Sequence, residues 1–261
     1  MALNFLKRKY SIAKADVTIK NSDVFLVSYP KSGNTWVKSL LGNYINDTAI
    51  DFHLLSSIIP DIDDNPEQIN NIKTSPRIIK SHFAYTSEYP KVIYIIRDGR
   101  DVAVSYYYHL ILRGKIKKDI DFRTYFYDYF MKGASKFGGW GEHVSSWKSA
   151  EGKNILFVKY ENLLTETEKV FREILQFSGL PLNQGKFTAA VQKSSFENMQ
   201  QTEAMNTETI RKDFDFKDTG YGFIRKGIAG DWKSHFTEEM LSDFNSKYSE
   251  IMEALGYPKA H

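Results

Sequence analysis

Hydrophobic positions along this chain switch between two spacings, and the switches mark its elements. Residues 24–29 form a mainly apolar run stopped by Pro30, the pattern of a strand covered on both faces. Trp36, Val37, Leu40, Leu41 and Tyr44 then recur at helical spacing and predict a helix over 35–44. Residues 77–81 and 91–97 are rich in β-branched side chains and predict strands, and 101–113 predicts a helix. Helical spacing returns over 121–132 and 142–150, and 154–160 predicts another strand. Thr165 with Glu168 three residues later reads as a capping box, and Gly179 with Pro181 closes the helix it opens. A last helix starts near Thr237 and Glu238, carries Met240, Phe244, Ile251, Met252 and Leu255, and stops at Gly256. Strands alternating with helices predict an α/β fold with a mostly parallel sheet and helices on both faces.

One stretch keeps no period. Residues 199–232 read as a loop, and such long loops in compact domains are commonly functional covers. This one holds Arg211, Lys212, Arg225 and Lys226, so it is expected to act as a lid over a bound anion.

Composition narrows the function. The chain has 261 residues, long enough for one large α/β domain or two small ones. Its net charge of +3 is too small to argue for nucleic acid, so anion binding has to come from local clusters. It contains no cysteine, which excludes disulfides, thiolate metal sites and cysteine nucleophiles and fits a reducing cytoplasm. No apolar run approaches the ~18 to 20 residues of a membrane span. The start, MALNFLKRKY, lacks the charge-then-apolar order of a secretory signal.

Candidate chemistry lies at the strand ends. Tyr29-Pro30-Lys31-Ser32-Gly33-Asn34-Thr35-Trp36 joins a strand to a helix. Gly33 permits a tight turn, the helix start offers unpaired N–H groups, and Lys31 adds a full charge. The segment reads as a phosphate or sulfate cradle, or as an ordinary turn with a surface lysine. A Walker A loop would place its lysine after the second glycine, whereas Lys31 precedes a single glycine. The strand at 91–96 ends in Arg97 rather than a magnesium-binding aspartate, so a metal-dependent kinase is the weaker alternative. Lys80 and His82, two apart near a strand's carboxyl end, share a face and read as a charge and a base, or as a surface pair. Arg97 and Ser105 could grip one phosphate; equally, Arg97 could pair with Asp98 or Asp101. Arg225-Lys226-Gly227 forms a basic turn followed by Gly230-Asp231-Trp232, which fits poorly with a merely solvated loop.

Taken together, YPKSGNTW, KSH, RDGRDVAVSYYYH and RKGIAGDWK, in this order from about Val24 to Trp232, resemble the cytosolic sulfotransferase family. The resemblance implies a P-loop-like three-layer fold over a single domain of 1–261, with 1–22 as an N-terminal extension. It implies transfer of a sulfuryl group from 3′-phosphoadenosine 5′-phosphosulfate (PAPS) to a hydroxyl or amine, without a metal. It places Lys31, Ser32, Gly33, Asn34 and Thr35 around the 5′-phosphosulfate and Trp36 against adenine. Arg97, Ser105, Arg225, Lys226 and Gly227 would hold the 3′-phosphate. Tyr160, Ser194 and Phe196 match adenine contacts. Lys80 and His82 match the catalytic lysine and base, Lys31 supports the leaving oxygen, and Ser105 steers Lys31.

The chain departs from the family at Asn34, where many members have threonine. It departs again at Lys233–Thr237, where the dimerising segment usually carries a Thr-Val pair, so the oligomeric state stays open. The resemblance implies a small-molecule or saccharide acceptor, which the sequence does not name. Tyr106, Tyr107, Tyr108 and the aromatics of 122–130 read mainly as core, with some free to line an acceptor pocket. Arg113, Lys115, Lys117 and Lys118 read as a solvated face, with an anionic saccharide acceptor as the sharper alternative.

Overall fold

The computed structural model describes residues 17–46, 50 and 52–259. The MALNFLKRKY segment and most of the 1–22 extension lie outside them. Four strands, β1 (Val24–Ser28), β2 (Ile78–Ser81), β3 (Val92–Ile96) and β4 (Ile155–Lys159), form one parallel sheet in the order β2-β1-β3-β4. Alternate side chains leave a strand on opposite faces. Phe25, Val27, Val92, Tyr94 and Ile96 therefore enter one apolar cluster, and Val24, Leu26, Ile93 and Ile95 enter another.

Helices cover both faces because both are apolar. In chain order they are α1 (Asn34–Ile45), α2 (Phe52–Ile58), α3 (Gly99–Leu112), α4 (Phe122–Tyr125), α5 (Trp140–Lys148), α6 (Tyr160–Thr165), α7 (Thr167–Ser178), α8 (Gln184–Lys193), α9 (Phe196–Met205), α10 (Thr207–Phe214) and α11 (Glu238–Ala254). Val37, Leu40 and Leu41 of α1 pack with Phe171 of α7 and Phe187 of α8 on the Leu26 side. Trp140, Val144 and Trp147 of α5 and Phe244 of α11 fill the Tyr94 side. Trp140 and Trp147 are fully buried, and each such side chain contributes on the order of 2 to 3 kcal/mol. At the amino end of the sheet Arg77 donates to Asp23 at 2.8 and 2.6 Å, so this buried charge pair is matched on both nitrogens.

Three expectations change. Thr165 is the last residue of α6, and its hydroxyl bonds back to the Glu161 carbonyl at 3.3 Å; α7 starts at Thr167 without a side-chain cap. The chain spends these residues on a short extra helix, so the capping box does not form. The helix expected over 121–132 runs only through α4 and then widens into a π-type turn at Phe126–Phe130. The stretch 199–232 is helical in its first half, through α9 and α10. Both helices are short and polar, with Met199 and Ile210 as their buried residues, too few to print a period.

Sheet register sets the site. Val27 is level with Ser81, Ser28 with Ile95, and Ile96 with Lys159. The residues that follow each strand, at Lys31, His82, Arg97 and Tyr160, thus leave the sheet at one edge, the carboxyl edge where ligands of open α/β sheets sit.

Candidate active site

The loop after β1 is shaped by two residues of positive φ, Lys31 at 71° and Gly33 at 105°. A side chain at Gly33 would also collide, since a Cβ there would lie 2.5 Å from Cδ2 of Tyr160. Ser32 N–H is bonded to Tyr29 O at 3.3 Å. The N–H groups of Asn34 and Thr35 open α1 ahead of its first internal bond and point along its positive dipole end. The Asn34 side chain turns away, its amide donating to Ser28 Oγ at 3.2 Å and Leu26 O at 3.3 Å. From this residue the cradle receives backbone, not side chain.

Arg97 ties three motifs together. Its guanidinium donates to Lys31 O at 3.2 Å and to Ile228 O at 2.9 Å, and lies 4.3 Å from the Tyr160 ring centre. Its Nε is buried without a partner. Asp101 stands 4.0 Å away, and Arg100, not Arg97, pairs with Asp98, at 2.6 Å. The Asp101 carboxylate accepts from the N–H groups of Gly230 and Trp232, at 2.7 and 3.0 Å, and Arg100 stacks on Trp232 at 4.2 Å. The bulky Trp232 is thus the anchor that docks the late basic turn onto α3.

That turn brings Arg225 into a recess with Lys31, Ser105, His109 and Phe223. Asp231 holds Arg225 at 2.5 Å and Lys226 at 2.6 Å. Burial opposes the Asp231 charge, but these two cations outweigh it and hold the carboxyl below its usual range. Gly227, at φ 65°, lies so close to Phe196 that a Cβ would meet its ring at 2.3 Å. The recess leaves the Lys31 ammonium 4.1 Å from the Phe223 ring centre. Burial, then the charge of Arg97, lowers the Lys31 pKa to about 7, against the pull of Glu203.

Trp36 and Tyr160 meet edge to face at 5.9 Å and make a corner beside the loop. Trp36 Nε1 donates to Ser194 O at 2.9 Å, while the Ser194 hydroxyl is engaged by Ser39 and Asn43. Arg211 is not at this site; it pairs with Asp218 at 2.9 Å, and Lys212 is exposed. The lid expectation therefore narrows to Arg225 and Lys226.

His82 lies across the loop from these groups. Its Nδ1 is 2.7 Å from Ser28 O, which makes Nδ1 the protonated nitrogen and leaves Nε2 with its lone pair. Burial, then the charge of Lys80, lowers its pKa to about 3. Phe137 stands 5.3 Å from the ring, and Phe83 packs on Phe137. The aromatics expected to divide between core and pocket do divide: Tyr125, Phe126 and Phe130 are buried, Tyr107, Phe122 and Tyr127 pack half-buried against that core, and Tyr108 lines the recess of Lys31 and Arg225. Sequence reasoning missed Phe83 and Phe137, the acids Asp61 and Asp63 beside the KSH segment, and the part that Asp101 and Asp231 play in holding the late basic turn. Lys80 itself pairs with Asp61. Only the paired acids of RDGRD and the GDW turn gave any hint of them.

A sulfotransferase domain model matches residues 21–256. The chain belongs to the sulfotransferase family. It is 32% identical to the 3-beta-hydroxysteroid sulfotransferase of Cavia porcellus, over 92% of this chain and 86% of that protein. It is 30% identical to human sulfotransferase 2A1, over 91% of this chain and 86% of the relative. Among solved structures, a mouse sulfotransferase, SULT7A1, complexed with PAP superimposes with a TM-score of 0.70 at 25% identity, covering 90% of this chain and 86% of the other. Retinol dehydratase in complex with androsterone and PAP superimposes with a TM-score of 0.72 at 24% identity, covering 90% and 82%. The sulfotransferase therefore has the P-loop-like α/β fold, and the kinase alternative is not favoured. No helix among the described residues is long and apolar enough to cross a membrane.

Proposed function

We propose that this sulfotransferase moves the sulfuryl group of PAPS to a hydroxyl or amine of a small-molecule or saccharide acceptor, with His82 as general base. The observation that carries the base assignment is the 2.7 Å contact of His82 Nδ1 with Ser28 O, which aims the free nitrogen away from β1. The residues present fit the nucleotide. Gly33 leaves room where a Cβ would strike Tyr160, and Arg97 offers a buried nitrogen without a partner.

PAPS, when bound, supplies a sulfuryl group on a phosphate leaving group. Ser32, Gly33, Asn34 and Thr35 offer backbone to its 5′ end, while Trp36, Tyr160, Ser194 and Phe196 frame the base. Arg97, Ser105, Arg225, Lys226 and Gly227 surround the 3′-phosphate. His82 accepts the proton of the acceptor at Nε2, being held neutral by burial. Lys31 and Lys80 oppose negative charge on the leaving oxygen, and Ser105 steers Lys31. One preorganised donor of this kind lowers the barrier by on the order of 3 to 4 kcal/mol. The unit acts over 1–261, with 199–232 carrying the cover, and its setting is the cytoplasm, as the resemblance to the cytosolic family implies; cell fractionation tests this.

Thermal unfolding with adenosine 3′,5′-bisphosphate (PAP), against ATP with magnesium, tests the nucleotide. Ligand at 100 times its Kd adds about 2.7 kcal/mol, a shift of roughly 5 to 10 °C for a chain of this size. A shift with PAP alone is expected. A shift only with ATP and magnesium overturns the reading.

A further inference from the structure

The acidic turn at 61–65 lies outside every motif, yet it grips the KSH segment at several points. Asp61 and Lys80 face each other in a parallel bridge beside β2. Lys80 N–H donates to Pro60 O at 2.9 Å, and Ile62 N–H donates to Lys80 O at 3.0 Å. The chain then folds back on Asp61, whose carbonyl accepts from Asn65 N–H at 2.9 Å and whose own N–H donates to Asn65 Oδ1 at 2.9 Å.

This turn presents two carboxylates to the reacting segment. Asp61 Oδ2 pairs with the Lys80 ammonium, and its other oxygen accepts from Asp63 N–H at 2.9 Å. Asp63 Oδ2 accepts from the His82 backbone N–H at 2.6 Å, and its Oδ1 accepts from the Ser81 hydroxyl at 3.3 Å. Lys38, on α1, is buried with its ammonium 3.4 Å from Ser56 Oγ. Its charge and that of Lys80 repel each other, and Asp61 attracts both.

We propose that Asp61 is the positioning residue for Lys80: its carboxylate holds the ammonium at the transfer site, and the turn it closes holds, through Asp63, the backbone that carries His82. The reason is mechanical and electrostatic. A lysine has a long flexible stem, and without an acceptor its ammonium spreads over many rotamers. Here an acid rooted in the neighbouring bridge restricts that choice, and it offsets the repulsion from Lys38. The inference rests on the roles proposed above for Lys80 and His82.

The test is a double-mutant cycle of Asp61→Asn and Lys80→Met. Turnover is read as PAP released from PAPS in the presence of 2-naphthol, so that transfer to the phenol and to water both count. PAP affinity and Tm are measured alongside. Asp61→Asn is expected to lower kcat by roughly 10- to 100-fold, as small misplacements at reacting centres do, with PAP affinity unchanged. Asp61→Glu should recover part of the loss. In the Lys80→Met background Asp61→Asn should have no further effect. Where Asp61→Asn does not fold, Asp61→Glu alone decides: a several-fold loss of kcat at unchanged Tm supports positioning, and wild-type kcat overturns it. An undiminished kcat in Asp61→Asn, or a loss that adds in full to that of Lys80→Met, overturns the positioning role alone. Normal turnover in Lys80→Met overturns the role of Lys80 and this inference with it.

Discussion

The ring Nδ1 of His82 lies 2.7 Å from the carbonyl oxygen of Ser28, the last residue of β1. The contact couples the tautomer of the base to the strand that also launches the Lys31 loop. A backbone carbonyl can only accept, so the proton sits on Nδ1 and Nε2 stays basic. Because burial lowers the pKa to about 3, the ring remains unprotonated across neutral and mildly acidic pH.

His82→Ala is therefore expected to lower kcat by about 100-fold or more, the usual contribution of a positioned base. PAP affinity should be nearly unchanged, since the proposed role of the ring is toward the acceptor and not the nucleotide. Steady-state kinetics with PAPS together with calorimetric titration of PAP checks both. Unchanged turnover would remove His82 from the base role.

Arg225 supplies the next expectation. It is held by Asp231 and lies 4.4 Å from the Tyr108 ring centre, at the recess shared by Lys31 and Ser105. Arg225→Ala should weaken PAP by about 10- to 100-fold, the range of one charge-assisted bond of ~1.5 to 3 kcal/mol. Binding of adenosine 5′-phosphate, which lacks the 3′-phosphate, should change little. Equal losses for both nucleotides would show that Arg225 acts elsewhere.

Gly33 has both a left-handed backbone and a ring against it. Gly33→Ala is expected to cost about 1 to 3 kcal/mol in backbone strain. That lowers Tm by roughly 2 to 10 °C. It should also weaken PAP, because the loop cannot keep its curvature. Differential scanning calorimetry and titration of PAP read the two effects, and wild-type values for both would refute the close approach of Tyr160.

Lys31 links nucleotide binding to pH. Its pKa is lowered to about 7 in the free protein, chiefly by burial and then by Arg97. A bound anion favours the charged form and raises that pKa, so binding above pH 7 takes up a proton, and affinity falls as pH rises. Calorimetry at pH 8 in buffers of different ionisation enthalpy should show proton uptake, absent at pH 6 and abolished in Lys31→Arg. Absence of uptake at pH 8 would mean that Lys31 is not at the anion.

Much of this site is legible in one dimension because its parts sit at strand ends. The loop at Lys31–Trp36, the Lys80–His82 pair, Arg97 and the Arg225–Gly227 turn all carry local marks: a nearby glycine, a run of basic residues, or two-residue spacing at a strand end. Their partners carry few. Asp61 and Asp63 look like ordinary surface acids in sequence, and Asp101, there only a candidate partner of Arg97, bonds to Gly230, 129 positions further along the chain. Thr165 shows the converse, a local mark that loses to a competing short helix.

The sequence by itself determined the parallel α/β class, the two buried faces of the strands and the order of the segments proposed to bind the anion. Those follow from side-chain periodicity and local backbone preference, which act over a few residues. The tertiary structure decided which basic groups meet, through the register that levels Ser28 with Ile95 and Ile96 with Lys159. It also decided that Lys80 faces Asp61 and that His82 carries its proton on Nδ1. Charge pairing and tautomer choice depend on distances of a few ångströms between remote segments, and only the folded packing sets those distances.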